Sequence, residues 1–77
     1  MHGWVGGPPS ARELAVLALV MEGLTNDEIG HRLGVTEETV KKHVSSLLRK
    51  FGAANRAELA AKAITRGIVG PPREDDR

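Results

Sequence analysis

Between Thr39 and Ala57 the chain carries Lys41, Lys42, Arg49, Lys50 and Arg56 with no acid among them, although the net charge of all 77 residues is only +1. The acids Glu13, Glu22, Asp27, Glu28, Glu37 and Glu38 precede that run, where Arg12 and Arg32 are the basic residues. Screening confines surface electrostatics to about 10 Å at moderate salt, so a partner meets the local field and not the sum. Within the basic run lie two adjacent short side chains, Ser45 and Ser46. Cations flanking a strip without bulk can neutralise phosphates while the strip approaches base edges, which is the chemistry of a nucleic-acid groove. A solvated face of an ordinary amphipathic helix has the same composition, so charge alone leaves both readings open.

Other chemistries find no residues. There is no nucleophile paired with a base, no carboxylate dyad, no glycine-rich phosphate loop and no metal cluster. Glu37 and Glu38 are neighbours in sequence and do not face one another on a helix. With no cysteine, disulfides and thiolate metal sites are excluded, and His2, His31 and His43 show no ligand spacing. A chain of 77 residues buries one small core and has no room for a deep catalytic cleft besides. The expectation is a binding module without cofactor or metal, not an enzyme. The longest apolar run, Leu14 to Met21, is far too short for a membrane span, and no basic segment with a cleavage site precedes it. No membrane partner is expected, and the cytoplasm is the expected compartment.

The elements that must position these side chains are helices. Residues 1–9, with the run HGWVGGPP, read as a flexible leader or linker. Ser10 with Glu13 forms a capping box that starts a first helix, and Gly23 stops it. Thr25 with Glu28 starts a short second helix, NDEIGHRL, ending at Gly34. Thr36 is the next N-cap candidate, and Val40, Val44, Leu47, Leu48 and Phe51 follow at helical spacing until Gly52. Asn55 with Glu58 makes a third box, and a last helix runs to Arg66 or Gly67. Residues 70–77 read as a disordered tail. No strand signal or repeat appears, so the fold class is all-α with four helices. Only Gly34 and Val35 separate the second and third helices; a glycine there admits positive φ and a steep change of direction, the helix-turn-helix pattern.

At about 100° per residue, Val40, Val44, Leu47 and Phe51 share one face of the third helix, with Leu48 at its edge. Glu38, Lys42, Ser45, Ser46 and Arg49 lie opposite, and Lys41, His43 and Lys50 flank the boundary. The first helix behaves differently. From Leu14 to Met21 it is apolar nearly all round, which leaves two readings open: a contact beyond a four-helix core, through self-association or a regulatory domain outside this chain, with Leu14 and Ala18 in it, or surface leucine and alanines that are simply tolerated.

The segments SARE, LTNDEIGHRLGVTEETVKKHVSSLLRKFG and NRAELAAKAITRG resemble the LuxR-type (GerE-like) helix-turn-helix domain of bacterial response regulators and quorum-sensing regulators. The resemblance covers residues 10–69, and its most specific part includes Asn26, Glu28, Ile29, Leu33, Thr36, Thr39, Val40, Lys41, His43, Lys50, Gly52 and Arg56. It implies a four-helix domain that binds double-stranded promoter DNA, with the third helix in the major groove and the fourth often at a dimer contact. It further implies transcription regulation in the bacterial nucleoid. Thr39, Lys41 and His43 then hold positions associated with backbone or groove-edge contact. Asn26, Lys50 and Arg56 join them as expected backbone contacts. Lys42, Ser45, Ser46 and Arg49, together with Glu38 from the wheel, are the expected base-reading set. Ala61, Ile64 and Ile68 recur at helical spacing on the last helix, as core, dimer seam or both.

Other readings attach to some of these residues. Lys50 and Arg56 could instead neutralise the carbonyl end of the third helix and nearby acids. Trp4 is expected to anchor the leader. Asp27 stands where the family often has a basic residue and repels phosphate at the head of the second helix. Gly30 replaces a usual alanine and permits close helix packing. Two other functions share the same pattern. One is a domain resembling region four of a sigma factor, docking on RNA polymerase, against which the run Thr39-Val40-Lys41 with His43 argues. The second is a protein-interaction module that uses the apolar first helix and the acidic N-terminal half.

Overall fold

The computed structural model describes residues 4–68. Four helices follow one another: α1 (Ala11–Met21), α2 (Asn26–Leu33), α3 (Glu37–Phe51) and α4 (Arg56–Thr65). No strand occurs among the described residues. The fold is all-α.

Each helix begins where a side-chain oxygen relieves the first free amides. Ser10 and Glu13 complete a reciprocal capping box on α1, and Thr25 and Glu28 complete another on α2. Thr36 caps α3, accepting from the Thr39 amide at 3.1 Å. Asn55 caps α4 by accepting from the Glu58 amide at 2.9 Å. The expected third box is not reciprocal: the Glu58 carboxylate reaches one residue further and takes the Ala54 N–H. Asn55 is more extended, with φ −157°, than the other N-caps.

α3 is the central element and packs on the other three, whereas the backbones of α2 and α4 are not neighbours. Val40, Val44, Leu47 and Phe51 are buried, and Leu48 is half-buried at the edge. They meet Val16, Leu17, Leu19 and Val20 of α1, Ile29 of α2, and Leu59 and Ala63 of α4. Burial of such side chains contributes roughly 1.5–3 kcal/mol each against the chain entropy lost on folding. α1 is therefore better covered than its composition suggests. Leu14 and Met21 are half-buried against the core, as are Ala15 and Ala18 by exposure. On α4 the core positions are Leu59 and Ala63; Ile68 packs beside them, while Ala61 is exposed and Ile64 is 56% exposed.

The turn between α2 and α3 closes tightly. Gly34 takes φ +74°, and the Val35 N–H donates to the Gly30 carbonyl at 2.9 Å. A Cβ on Gly30 would stand 2.7 Å from the Val35 carbonyl oxygen, so the bare glycine lets α3 start directly against α2. No described helix is long and apolar enough to cross a membrane.

Residues 4–9 are not a free arm. Trp4 sets its ring edge-on to Phe51, with centroids 4.8 Å apart, and the Arg66 guanidinium lies 3.9 Å over the Trp4 ring. Lys50 donates to the Pro8 carbonyl at 3.2 Å. Trp4 thus anchors the segment, as its lone aromatic surface in a glycine-proline stretch suggests. The expected tail, residues 70–77, lies outside the described residues, as do residues 1–3 and 69.

Candidate nucleic-acid interface

The outward side of α3 is assembled by burial of the opposite side. Glu38, Lys42, Ser45 and Arg49 are exposed at i, i+4, i+7 and i+11, so they form one stripe along the helix. Lys41 is exposed beside it, and Thr39 and His43 are half-buried at its margins. The Thr36 hydroxyl donates to the Thr39 hydroxyl at 3.0 Å, which ties the Thr39 side chain to the N-cap. Glu37 and Glu38 occupy the first turn and Arg49 and Lys50 the last, each opposing the partial charge of its helix end.

Two residues expected at the interface are turned inward. Ser46 donates to Glu13 Oε2 at 2.7 Å, and Lys50 donates to Glu13 Oε1 at 2.7 Å. Ser46 lies on the outer half of a projected wheel, but α1 crosses α3 on that flank and brings a carboxylate around to meet it. Lys50, with its side chain 12% exposed, faces Glu13 at 10%. The Ser10 N–H adds a bond of 2.9 Å to Oε1. Burial pushes the Glu13 carboxyl up. The hydrogen bonds from Lys50, Ser46 and the Ser10 amide, with the Lys50 charge, pull it further the other way, from 4.5 to about 2. Glu13 is ionised at neutral pH and fixes the rotation of α3 through residues one turn apart.

Arg56 is likewise committed within the protein. Its Nη1 donates to Asn26 Oδ1 and its Nη2 to the Leu24 carbonyl, both at 2.6 Å. Expected as a phosphate contact, this guanidinium clamps the head of α2, its long side chain spanning a gap that the two helix backbones leave open. The structure thus brings Glu38, Lys41, Lys42, Ser45 and Arg49 to one surface and removes Ser46, Lys50 and Arg56 from it. Glu13 was legible only as a capping residue. Ser46 and Lys50, spaced four apart on a helix flank, show that the flank is polar without showing what it faces. Asp27 is exposed on α2, where His31 Nδ1 approaches its carboxylate at 3.8 Å and its carbonyl at 3.0 Å.

The family model described as "Bacterial regulatory proteins, luxR family" matches residues 10–63, more than half of the chain. The chain belongs to the LuxR family. This LuxR-type chain is 50% identical over 54 residues to the two-component response regulator PprB of Pseudomonas aeruginosa, covering 70% of itself and 20% of PprB. It also superposes on the response regulator ChrA of a heme-sensing two-component system with a TM-score of 0.77. That match is at 31% identity and covers 84% of the chain and 34% of ChrA. The Vibrio cholerae VqmA dimer, a LuxR-type receptor, matches with a TM-score of 0.73 at 34% identity, over 75% of this chain and 26% of that one. The LuxR-type domain therefore spans about a fifth to a third of these proteins. It is a DNA-binding helix-turn-helix domain of the kind these transcription regulators carry.

Proposed function

We propose that this LuxR-type domain reads promoter DNA by laying α3 in the major groove, with Glu38, Lys42, Ser45 and Arg49 toward the bases. The observation that carries this reading is the exposed stripe itself. From residue 38 to residue 49 it extends roughly 16 Å at 1.5 Å per residue, about five base pairs of duplex. Lys42 and Arg49 suit guanine acceptors, Glu38 suits a cytosine amino group, and Ser45 leaves room for close approach. Lys41, Thr39 and His43 at the margins, and Asn26 at the head of α2, contact the backbone. Asp27 beside Asn26 moderates affinity by repelling phosphate.

Binding as a dimer on a palindromic site follows from the exposed Ile64 and Ala61 on α4, a surface whose burial a small domain gains from. The VqmA match is to a dimer. Ile68, Leu14 and Ala18, each half-buried, border that seam or a contact with a regulatory domain. The site of action is the bacterial nucleoid.

Selection of bound duplexes from a random pool tests the reading, with enrichment of two half-sites about one helical turn apart as the expected outcome. On the selected site Lys42→Ala relaxes base preference at one position, while Lys41→Ala weakens selected and random DNA alike. Equal losses on both DNAs from both variants would contradict the division of roles.

A further inference from the structure

Asn26 is the first residue of α2, and its side chain is held by a residue of a helix whose backbone never approaches α2. Arginine carries donors only, so the group facing Arg56 Nη1 has to be the Asn26 carbonyl oxygen. The second guanidinium nitrogen is bound to the Leu24 carbonyl, which fixes the plane of the fork. The Asn26 NH2 group therefore points away from Arg56. No acceptor among the described residues takes that NH2 group, and no described side-chain polar atom is buried without a partner. The group is an outward-facing donor. The neighbouring Thr25 and Glu28 side chains are occupied with each other's amides at 3.1 and 2.8 Å. Asp27 is exposed and negative, so an anion approaching this head meets, besides the backbone amides of the helix start, a neutral side-chain donor held in a fixed direction.

We propose that Arg56 is a positioning residue for DNA binding, which orients the Asn26 amide to donate to a backbone phosphate and does not itself bind phosphate. The proposal rests on the DNA-binding reading above. It also gives α4 a route to the helix-turn-helix: a shift of α4 moves the guanidinium and with it the donor on α2.

The two roles of Arg56 differ in charge bookkeeping at the DNA. A neutral amide releases no counterion, whereas a guanidinium bound to phosphate contributes about 0.9 to the slope of log affinity against log salt. Binding of the 77-residue chain to a mixed-sequence duplex is measured by fluorescence anisotropy at several salt concentrations. The expected result for Arg56→Ala is a loss of about three- to tenfold, the scale of one hydrogen bond, with the slope unchanged. Asn26→Ala loses a similar factor, and the double variant loses no more than either single one. Arg56→Lys keeps the charge but not the fork, so it loses affinity as well. A slope reduced by about 0.9 in Arg56→Ala, additive losses, or full affinity in Arg56→Lys each overturns the proposal. If Arg56→Ala is too unstable for the assay, Arg56→Lys and Asn26→Ala decide by the same criteria. Failure of the unaltered chain to bind DNA in a salt-dependent way would instead overturn the DNA-binding reading.

Discussion

Replacing Glu13 by glutamine removes one charge from the only pair of oppositely charged side chains that the described residues bury, with both members near one-tenth exposed. Glutamine keeps the size and one carbonyl oxygen, but its NH2 end cannot accept from Ser46 or Lys50. The carboxyl held at about 2 instead of 4.5 carries about 3 kcal/mol of folding free energy at neutral pH, at about 1.4 kcal/mol for each pH unit. Loss of one partner of a buried pair costs about 3–5 kcal/mol. The lower end applies here, because the Lys50 ammonium also bonds the exposed Pro8 carbonyl and can turn to water. The folded carboxyl titrates below the unfolded one, so its contribution is complete above pH 4.5 and fades as pH falls toward 2. Urea unfolding followed by circular dichroism at pH 7 and pH 2.5 is the assay. At pH 7 Glu13→Gln is less stable by about 3 kcal/mol, which lowers the melting temperature by about 12–24 °C in a domain this small. At pH 2.5 most of the gap between variant and parent has closed. A variant within about 0.5 kcal/mol of the parent at pH 7, or one with a gap independent of pH, would refute the assignment of Glu13 as the ionised centre joining α1 to α3.

Trp4→Ala removes the ring packed on Phe51 and under Arg66 and is expected to cost about 1–2 kcal/mol; an unchanged melting temperature would show that residues 4–9 contribute nothing to the fold. Ile64→Glu places a charge on an exposed α4 position. Sedimentation on and off DNA is expected to show intact folding with weakened self-association, and a dimer of undiminished strength would locate the seam elsewhere.

The helix boundaries were legible because each rests on local chemistry. Ser10, Thr25, Thr36 and Asn55 accept from amides three residues away, and Gly34 and Gly52 take positive φ where α2 and α3 end. Periodicity in α3 likewise set Val40, Val44, Leu47 and Phe51 inward. It did so within one helix, where side-chain direction follows from spacing alone. The same rule failed at Ser46, which projects outward from an isolated α3 and is satisfied by Glu13 from α1.

Sequence by itself determined four capped helices, the glycine turn between the second and third, and an outward face of Glu38, Lys42, Ser45, Ser46 and Arg49 of which all but Ser46 stay exposed, since all of these depend on residues within a few positions of one another. Only the tertiary structure decided which cations remain free. Lys50 lies 37 residues from Glu13 and Arg56 lies 30 from Asn26. The crossing of helices, which no local spacing records, gives both of these expected phosphate contacts a partner inside the protein.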